Sequence, residues 1–400
     1  MKVFIKGLNT CNQRDHELEV YRRFLIGNGH EIVSEQKGSD AVLVWTCAFR
    51  GDVRDNSLDQ LKSFCQEAEG DSRIIATGCL PDIAPESVGD WFKGELLPWK
   101  KADPRLEEFF RRPGGPSLAS EDSKIFIEPA LCEDAAAYRK ANPEADVIFY
   151  DQFVKLLVAE GCPFTCTYCS ERLAFPDFRS FPEDKLVAAC KGFLETSTQR
   201  TVALIGDCPG EYGRDTGTDI TQLAWKILNL HPDLKIVLTQ FHPADFLKHF
   251  DKVVGLLESG RISHLNLPMQ SASDRILKLM AREYNRSGLV KIMEALRRIG
   301  FTAFDTHIIL GFPGETEEDF EATMDFLLTQ KPRYVLMSRF METSGMAASR
   351  LPDKVAEDIA NRRLNDGERR LKAAGIICNS EAGNMMEERL KRLNNAQATA

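Results

Sequence analysis

Apolar and polar positions alternate on two periods over residues 1 to 100. Lys2-Val3-Phe4-Ile5-Lys6 reads as a short strand, and Arg14 to Gly27 carries Leu18, Tyr21, Phe24 and Leu25 at helical spacing, with Gly27 and Gly29 closing the helix. Ala41-Val42-Leu43-Val44-Trp45 is an apolar run of buried-strand type. A helical stretch follows from Val53 to Ala68, and Arg73-Ile74-Ile75-Ala76-Thr77 makes a third strand. The alternation predicts a small parallel α/β sheet of Rossmann-like kind. Arg111 to Ser117, rich in Pro and Gly, breaks regular structure and reads as a linker.

From Phe153 the alternation resumes on a larger scale. Strand-like runs fall at Phe153–Val158, Thr201–Ile205, Lys235–Thr239, His264–Leu267, Ala303–Leu310 and Tyr334–Ser338, with helical stretches such as Leu223–Leu230 and Gly288–Ile299 between them. Six strand–helix units in roughly 190 residues predict a partial (βα)6 barrel of TIM type, since the full eight-unit barrel needs ~250. The expected division is a domain over 1–115, a linker over 116–147, the barrel over 148–350 and a helical extension over 351–400. Within that extension, Met385 to Leu393 reads as an amphipathic helix.

Composition narrows the class. With 43% hydrophobic and 28% charged residues, the chain has neither a disordered nor a fibrous bias. The net charge of −9 argues against a general attraction to nucleic acid. No signal-peptide pattern opens the sequence and no run reaches the ~18 apolar residues of a membrane span, so a cytoplasmic protein is expected. Eleven cysteines in a reducing compartment point to metal ligands, catalytic groups or core thiols rather than disulfides.

Cys162, Cys166 and Cys169 stand in C-x3-C-x2-C spacing directly after the strand Phe153–Val158. Three thiolates on one loop suit three irons of a [4Fe–4S] cube and leave the fourth iron open, where the amino and carboxylate groups of S-adenosylmethionine (SAM) can chelate. A structural zinc site usually takes four protein ligands, so zinc fits less well. Tyr168, just before the last cysteine, strengthens the cluster reading. Cys11, Cys47 and Cys79 are far apart in sequence, yet each lies just beyond one of the three N-terminal strands. Ligands of parallel sheets bind outside the carboxyl ends of the strands, so the three could converge on one site. Packed thiols are the alternative.

These residues resemble the radical-SAM methylthiotransferases over about residues 1–375. Thr46-Cys47-Ala48-Phe49, Thr77-Gly78-Cys79-Leu80-Pro81, Glu160-Gly161-Cys162 through Cys169, His242-Pro243, Leu267 to Met280 and Gly311 to Phe320 carry the likeness. The resemblance implies two [4Fe–4S] clusters with SAM as co-substrate. A barrel cluster on Cys162, Cys166 and Cys169 generates a 5′-deoxyadenosyl radical, and an auxiliary cluster on Cys11, Cys47 and Cys79 carries the sulfur. It further places Tyr168, Gly206, Asp207, Gln270, Ser271 and Gly311 around SAM, with no catalytic side chain beyond the cluster ligands.

The chain also departs from the family. Trp45 stands where Asn is usual, Asn12-Gln13-Arg14-Asp15 alters the loop after Cys11, and His307 stands where Asp is usual. His307 is expected as a satisfied barrel-interior residue. The tail leaves no room for the small C-terminal β-barrel of the RNA- and ribosomal-protein-modifying members. The expected activity is therefore sulfur insertion or methylthiolation at an unactivated C–H bond of a peptide, protein or small molecule. A tRNA methylthiotransferase without that barrel, and an enzyme whose auxiliary cluster relays electrons or anchors substrate, are the alternatives. Expected partners are a flavodoxin- or ferredoxin-type reductant, with nucleic acid ranked behind and a monomer as the default. The basic residues Arg362, Arg363, Arg369, Arg370 and Lys372 are interspersed with Asp358, Asp366 and Glu368 and read as a solvated helix face.

Overall fold

A computed structural model describes residues 1–128, apart from 9–10, 50 and 69–71, and residues 153–379. The amphipathic stretch 385–393 and Cys132 lie outside the described residues. The chain divides into two compact units, Met1–Glu128 with Ser170–Pro176, and the remainder.

In the first unit the apolar runs become strands of one parallel sheet: β1 (Lys2–Leu8), β2 (Glu31–Val33), β3 (Ala41–Thr46), β4 (Arg73–Gly78) and β5 (Glu95–Leu96), in the order β2-β1-β3-β4-β5. Every residue of β3 is buried, as its unbroken apolar run requires of a central strand. The registers pair Leu8 with Thr46 and Thr46 with Gly78, so β1, β3 and β4 end level at one edge. The helices Asn12–Gly27 and Gly51–Glu67 follow β1 and β3. β2 and β5 are three and two residues long, too short for a periodic signal, and the sequence did not disclose them. The helix Trp99–Phe110 was missed because Pro104 sits inside it.

The segment 111–117 is packed rather than a free linker. Asn28 Oδ1 accepts the N–H of Arg112 at 2.8 Å, Asn28 Nδ2 donates to Pro116 O at 3.2 Å, and Ser117 hydrogen-bonds Glu107. The unit thus runs past the expected boundary at 115, to the two-residue strand Ile127–Glu128 (β6). The helix Glu171–Ala174 belongs to this unit as well, and Ala174 and Phe175 are buried in its core.

The second unit realises all six expected strands as β7 (Val154–Glu160), β9 (Thr201–Gly206), β10 (Lys235–Leu238), β11 (Ile262–Asn266), β12 (Phe304–Leu310) and β13 (Tyr334–Arg339). Between β7 and β9 lies β8 (Arg179–Ser180), antiparallel to β7. The parallel order is β7-β9-β10-β11-β12-β13, extended by a short seventh strand, β14 (Ile377–Asn379), beside β13. Helices follow the strands as a βα barrel demands. Their starts carry good caps: Asp219 accepts the N–H groups of Thr221 and Gln222, and Thr316 and Asp319 form a capping box. No helix among the described residues is long and apolar enough to cross a membrane.

The C-terminal helix Glu357–Ala373 packs on the strands rather than standing apart. Its cations are committed to carboxylates. Arg363 pairs with Glu315 at 2.9 Å, Arg370 with Glu321 at 2.7 Å and Arg362 with Glu317 at 3.3 Å, while Arg369 and Lys372 bond to Asp366 and Glu368. Arg362, Arg369 and Lys372 are exposed as a solvated face requires, whereas Arg363 is buried in its ion pair with Glu315.

Candidate metal centres

In the second unit, Glu160 ends β7 and the chain turns at Gly161 with φ +73°. A Cβ there would come within 2.0 Å of Asp177 O, so only glycine allows this entry. Asp207, just after β9, accepts the Gly161 N–H at 2.8 Å and fixes the start of the cysteine loop. Farther along, Thr167 donates its N–H to Met280 O at 3.1 Å and its hydroxyl to Leu279 O at 2.9 Å. Clamped at both ends, the loop gathers Cys162, Cys166 and Cys169 with Phe164, Tyr168 and Cys208 into one apolar cluster.

Arg282 serves this cluster, and sequence reasoning missed it. Its Nη1 donates to Cys166 Sγ and to Tyr168 Oη, both at 3.3 Å, its Nη2 to Pro268 O at 2.8 Å and its Nε to Tyr284 Oη at 2.9 Å. Tyr284 Oη in turn donates to Met269 O at 2.6 Å. Such a fixed fork presents positive charge to sulfur and loses little entropy in doing so. The only sequence signal was a basic residue two positions beyond the Leu267–Met280 motif.

His242 stacks on Phe164, ring centroids 3.9 Å apart, and its Nδ1 accepts the N–H of Ala244 at 3.1 Å. Burial, aided by Arg282, holds its pKa well below the usual imidazole value, so the ring is neutral and the proton sits on Nε2. That N–H is buried and finds no acceptor in the protein. A buried donor beside three thiols and a cation fits an anionic, acceptor-rich group at this place.

The other expected SAM contacts fall at the same barrel end. Gly206 approaches β7 so closely that a Cβ would sit 2.7 Å from Ala159 O. Gln270 holds φ +66° and exchanges backbone hydrogen bonds with β12, its N–H donating to His307 O at 2.7 Å. Gly311 makes a turn with φ +71° and donates its N–H to Glu315 at 2.7 Å. The Ser271 hydroxyl instead lies against Thr323 and accepts the N–H of Ser273. Burial raises the pKa of the Tyr168 hydroxyl.

His307 belongs to a polar network inside the barrel. Asn266 Oδ1 accepts the N–H of Gln240 at 3.0 Å, which leaves Nδ2 to donate to Asp305 Oδ2 at 2.6 Å and to His307 Nε2 at 3.2 Å. His264 Nε2 bonds Asp305 Oδ1. Accepting at Nε2, the neutral His307 ring carries its proton on Nδ1. Burial lowers its pKa further, as expected of an interior histidine.

In the first unit, Cys11 immediately precedes the helix Asn12–Gly27, Cys47 directly follows β3 and Cys79 immediately precedes the short helix Leu80–Ile83 after β4. The level strand ends bring the three together. Cys47 and Cys79 share a hydrogen bond, which pulls Cys47 down and, with burial, pushes Cys79 up, while burial raises Cys11. Gly78 makes the approach possible: its φ is +96°, and a Cβ would lie 2.5 Å from Thr46 O. Arg14 and Glu171 face the thiols. The altered loop after Cys11 thus supplies a cation, whose guanidinium also lies 3.3 Å over Phe175.

The ten described cysteines are all free thiols. Among the described residues no group of three or more His, Cys, Asp or Glu side chains is placed to hold a metal ion. Cys208, beyond β9, touches Cys162 and donates to Asp245 Oδ2 at 3.7 Å. Cys190 is a core thiol, pushed up to about 12 by burial.

The radical SAM superfamily matches residues 156–327, and a family described as uncharacterized protein family UPF0004 matches residues 2–95. A probable threonylcarbamoyladenosine tRNA methylthiotransferase of Pyrococcus horikoshii is 26% identical over 88% of this chain and 79% of its own length. A tRNA-2-methylthio-N(6)-dimethylallyladenosine synthase of Methylacidiphilum infernorum is 27% identical over 90% of this chain and 78% of its own. The threonylcarbamoyladenosine tRNA methylthiotransferase of Xenopus laevis is 27% identical over 89% of this chain, which spans 62% of that relative. Among solved structures, the radical SAM methyltransferase TsrM from Kitasatospora setae superposes with a TM-score of 0.60 at 12% identity, over 87% of this chain and 77% of its own, a likeness of fold.

Proposed function

Since the chain belongs to the radical-SAM methylthiotransferase family, an enzyme class that uses [4Fe–4S] clusters and SAM, we propose that it methylthiolates a modified adenosine of tRNA. The observation that carries this reading is that relatives matched along nearly the whole chain are named for tRNA adenosines. The peptide or small-molecule acceptor expected from the sequence ranks behind it, and nucleic acid moves to the front.

Cys162, Cys166 and Cys169 would hold the barrel cluster, and Cys11, Cys47 and Cys79 the auxiliary one. When bound, the first with SAM supplies the radical that takes hydrogen from carbon, and the second supplies sulfur. The protein's own part is positioning. Arg282 places a fixed positive charge on Cys166, and His242 offers an N–H beside the loop. Asp207 and Gly161 set the loop's entry, while Gln270 and Gly311 shape the barrel rim with left-handed turns. His307, Asn266 and Asp305 keep the interior polar. An external flavodoxin- or ferredoxin-type donor would supply the electron.

Anaerobically reconstituted protein, incubated with tRNA that carries the N6-modified adenosine but lacks the methylthio group, together with SAM, sulfide and reductant, should yield a methylthio-adenosine nucleoside on digestion and mass spectrometry. Formation of 5′-deoxyadenosine with no sulfur-bearing nucleoside, or sulfur found only on a peptide, would refute the proposal.

A further inference from the structure

Trp45 occupies the position where the resembling family usually has Asn, two residues before Cys47. Its side chain is fully buried, in the core cluster that also holds Cys79, Ala48 and Leu80, and is tilted against Tyr21 with ring centroids 5.7 Å apart. Besides its bulk the indole brings an N–H, and that Nε1 is buried with no hydrogen-bond partner in the protein. An orphaned buried donor is destabilising, and indole N–H groups in cores normally find an acceptor.

The surroundings show where such an acceptor could lie. Nε1 sits 2.7 Å from the place a Cβ on Gly78 would take, hence beside the residue that leads into Cys79. The nearby backbone oxygens are already engaged: Thr46 O accepts the Cys79 N–H at 2.8 Å, and Thr77 O accepts the Thr46 hydroxyl at 2.6 Å. The Tyr21 hydroxyl donates to Asp103 at 3.1 Å. Cys79 directly follows Gly78 and lies in the same buried cluster as Trp45, and its thiol shares a hydrogen bond with that of Cys47 at this strand edge.

We propose that the Trp45 indole N–H donates a hydrogen bond to sulfur of the auxiliary iron–sulfur group, either a cysteine thiolate or a cluster sulfide. The inference rests on the assignment of Cys11, Cys47 and Cys79 as ligands. Trp45 is then a positioning and tuning residue. Hydrogen bonds to sulfur are among the levers that set cluster potential. Donation to sulfur favours the reduced, more negative state, so the bond raises the potential of this group. The substitution of Asn by Trp brings the donor from a rigid ring inside the core rather than from a short amide.

The test uses the full-length chain carrying Cys162→Ala, Cys166→Ala and Cys169→Ala, so that only the auxiliary cluster reports. With 15N-labelled tryptophan, pulsed electron paramagnetic resonance of the reduced cluster should show a 15N coupling. Of the four tryptophans, Trp45 is assigned by loss of that coupling in Trp45→Phe. The same variant should titrate at a more negative midpoint potential, and Trp45→His should restore part of the shift. A cluster that forms but shows no 15N coupling, or whose potential is unmoved by Trp45→Phe, overturns the inference while leaving the ligand assignment standing. Failure of the triple variant to bind any cluster overturns the ligand assignment, and the inference with it.

Discussion

At the scale of single residues, the barrel site draws on Arg282 as well as on the cysteines that motif spacing discloses. Its guanidinium donates to Cys166, Tyr168 and Pro268 at once, a pattern that a lysine ammonium cannot reproduce from the same backbone position. Arg282→Lys should keep the cluster's absorbance yet slow reductive SAM cleavage by about tenfold or more, the equivalent of ~1.4 kcal/mol. An unchanged rate of 5′-deoxyadenosine release would remove Arg282 from the account. The cysteines themselves were legible because thiol chemistry needs that residue type, and the tight loop spacing announces it. Arg282 was not, since an arginine 116 residues from Cys166 in sequence looks like any surface cation until the fold brings it back. Trp45 was legible only as an oddity. Its meaning required the knowledge that Gly78 lies beside it.

At the scale of elements, turns and caps decide whether the thiols can meet. Gly78 and Gly161 each hold a positive φ where an added Cβ would strike a backbone oxygen. Gly78→Ala should therefore cost the protein its auxiliary cluster, seen as loss of half the bound iron, while SAM cleavage in the barrel continues. Full iron content in that variant would contradict the geometry. The loop Gly311–Glu315 offers a second test. Burial raises the Glu315 carboxyl to about 7, against the pull of the Gly311 N–H and Arg363. Because the folded state binds this proton more tightly than the unfolded chain, the stabilisation is complete below about 4.5 and is lost as pH rises through 7. The wild type should lose up to ~3 kcal/mol more than Glu315→Gln between pH 4.5 and 8. Parallel pH–stability curves for the two proteins would show that Glu315 is ionised throughout. The long strands of both sheets were readable from period alone. The two- and three-residue strands β2, β5 and β14 were not, because they carry no period and exist only by pairing with a neighbour.

At the scale of the whole molecule, one chain carries two thiol triads, each at the carboxyl edge of its own parallel sheet. The charge balance bears on how tRNA would be held. The net charge is −9, and the cations of the helix Glu357–Ala373 are paired with carboxylates. tRNA affinity should accordingly fall with salt on a shallow slope, equivalent to fewer than about five phosphate contacts. A much steeper dependence would place a large basic surface in the interface. The transfer of Ser170–Pro176 into the first unit was not legible in the sequence, since nothing local distinguishes a helix that packs with its sequence neighbours from one that does not.

The central claim is that the two triads hold separate clusters with separate tasks. Mössbauer spectroscopy of 57Fe-reconstituted protein, wild type against the Cys11→Ala, Cys47→Ala, Cys79→Ala triple variant, tests it most directly. The wild type should show iron in two [4Fe–4S] clusters, and the variant half of that iron in a single cluster that still cleaves SAM. Equal iron in the two proteins, or a wild type that binds only one cluster, would contradict the account.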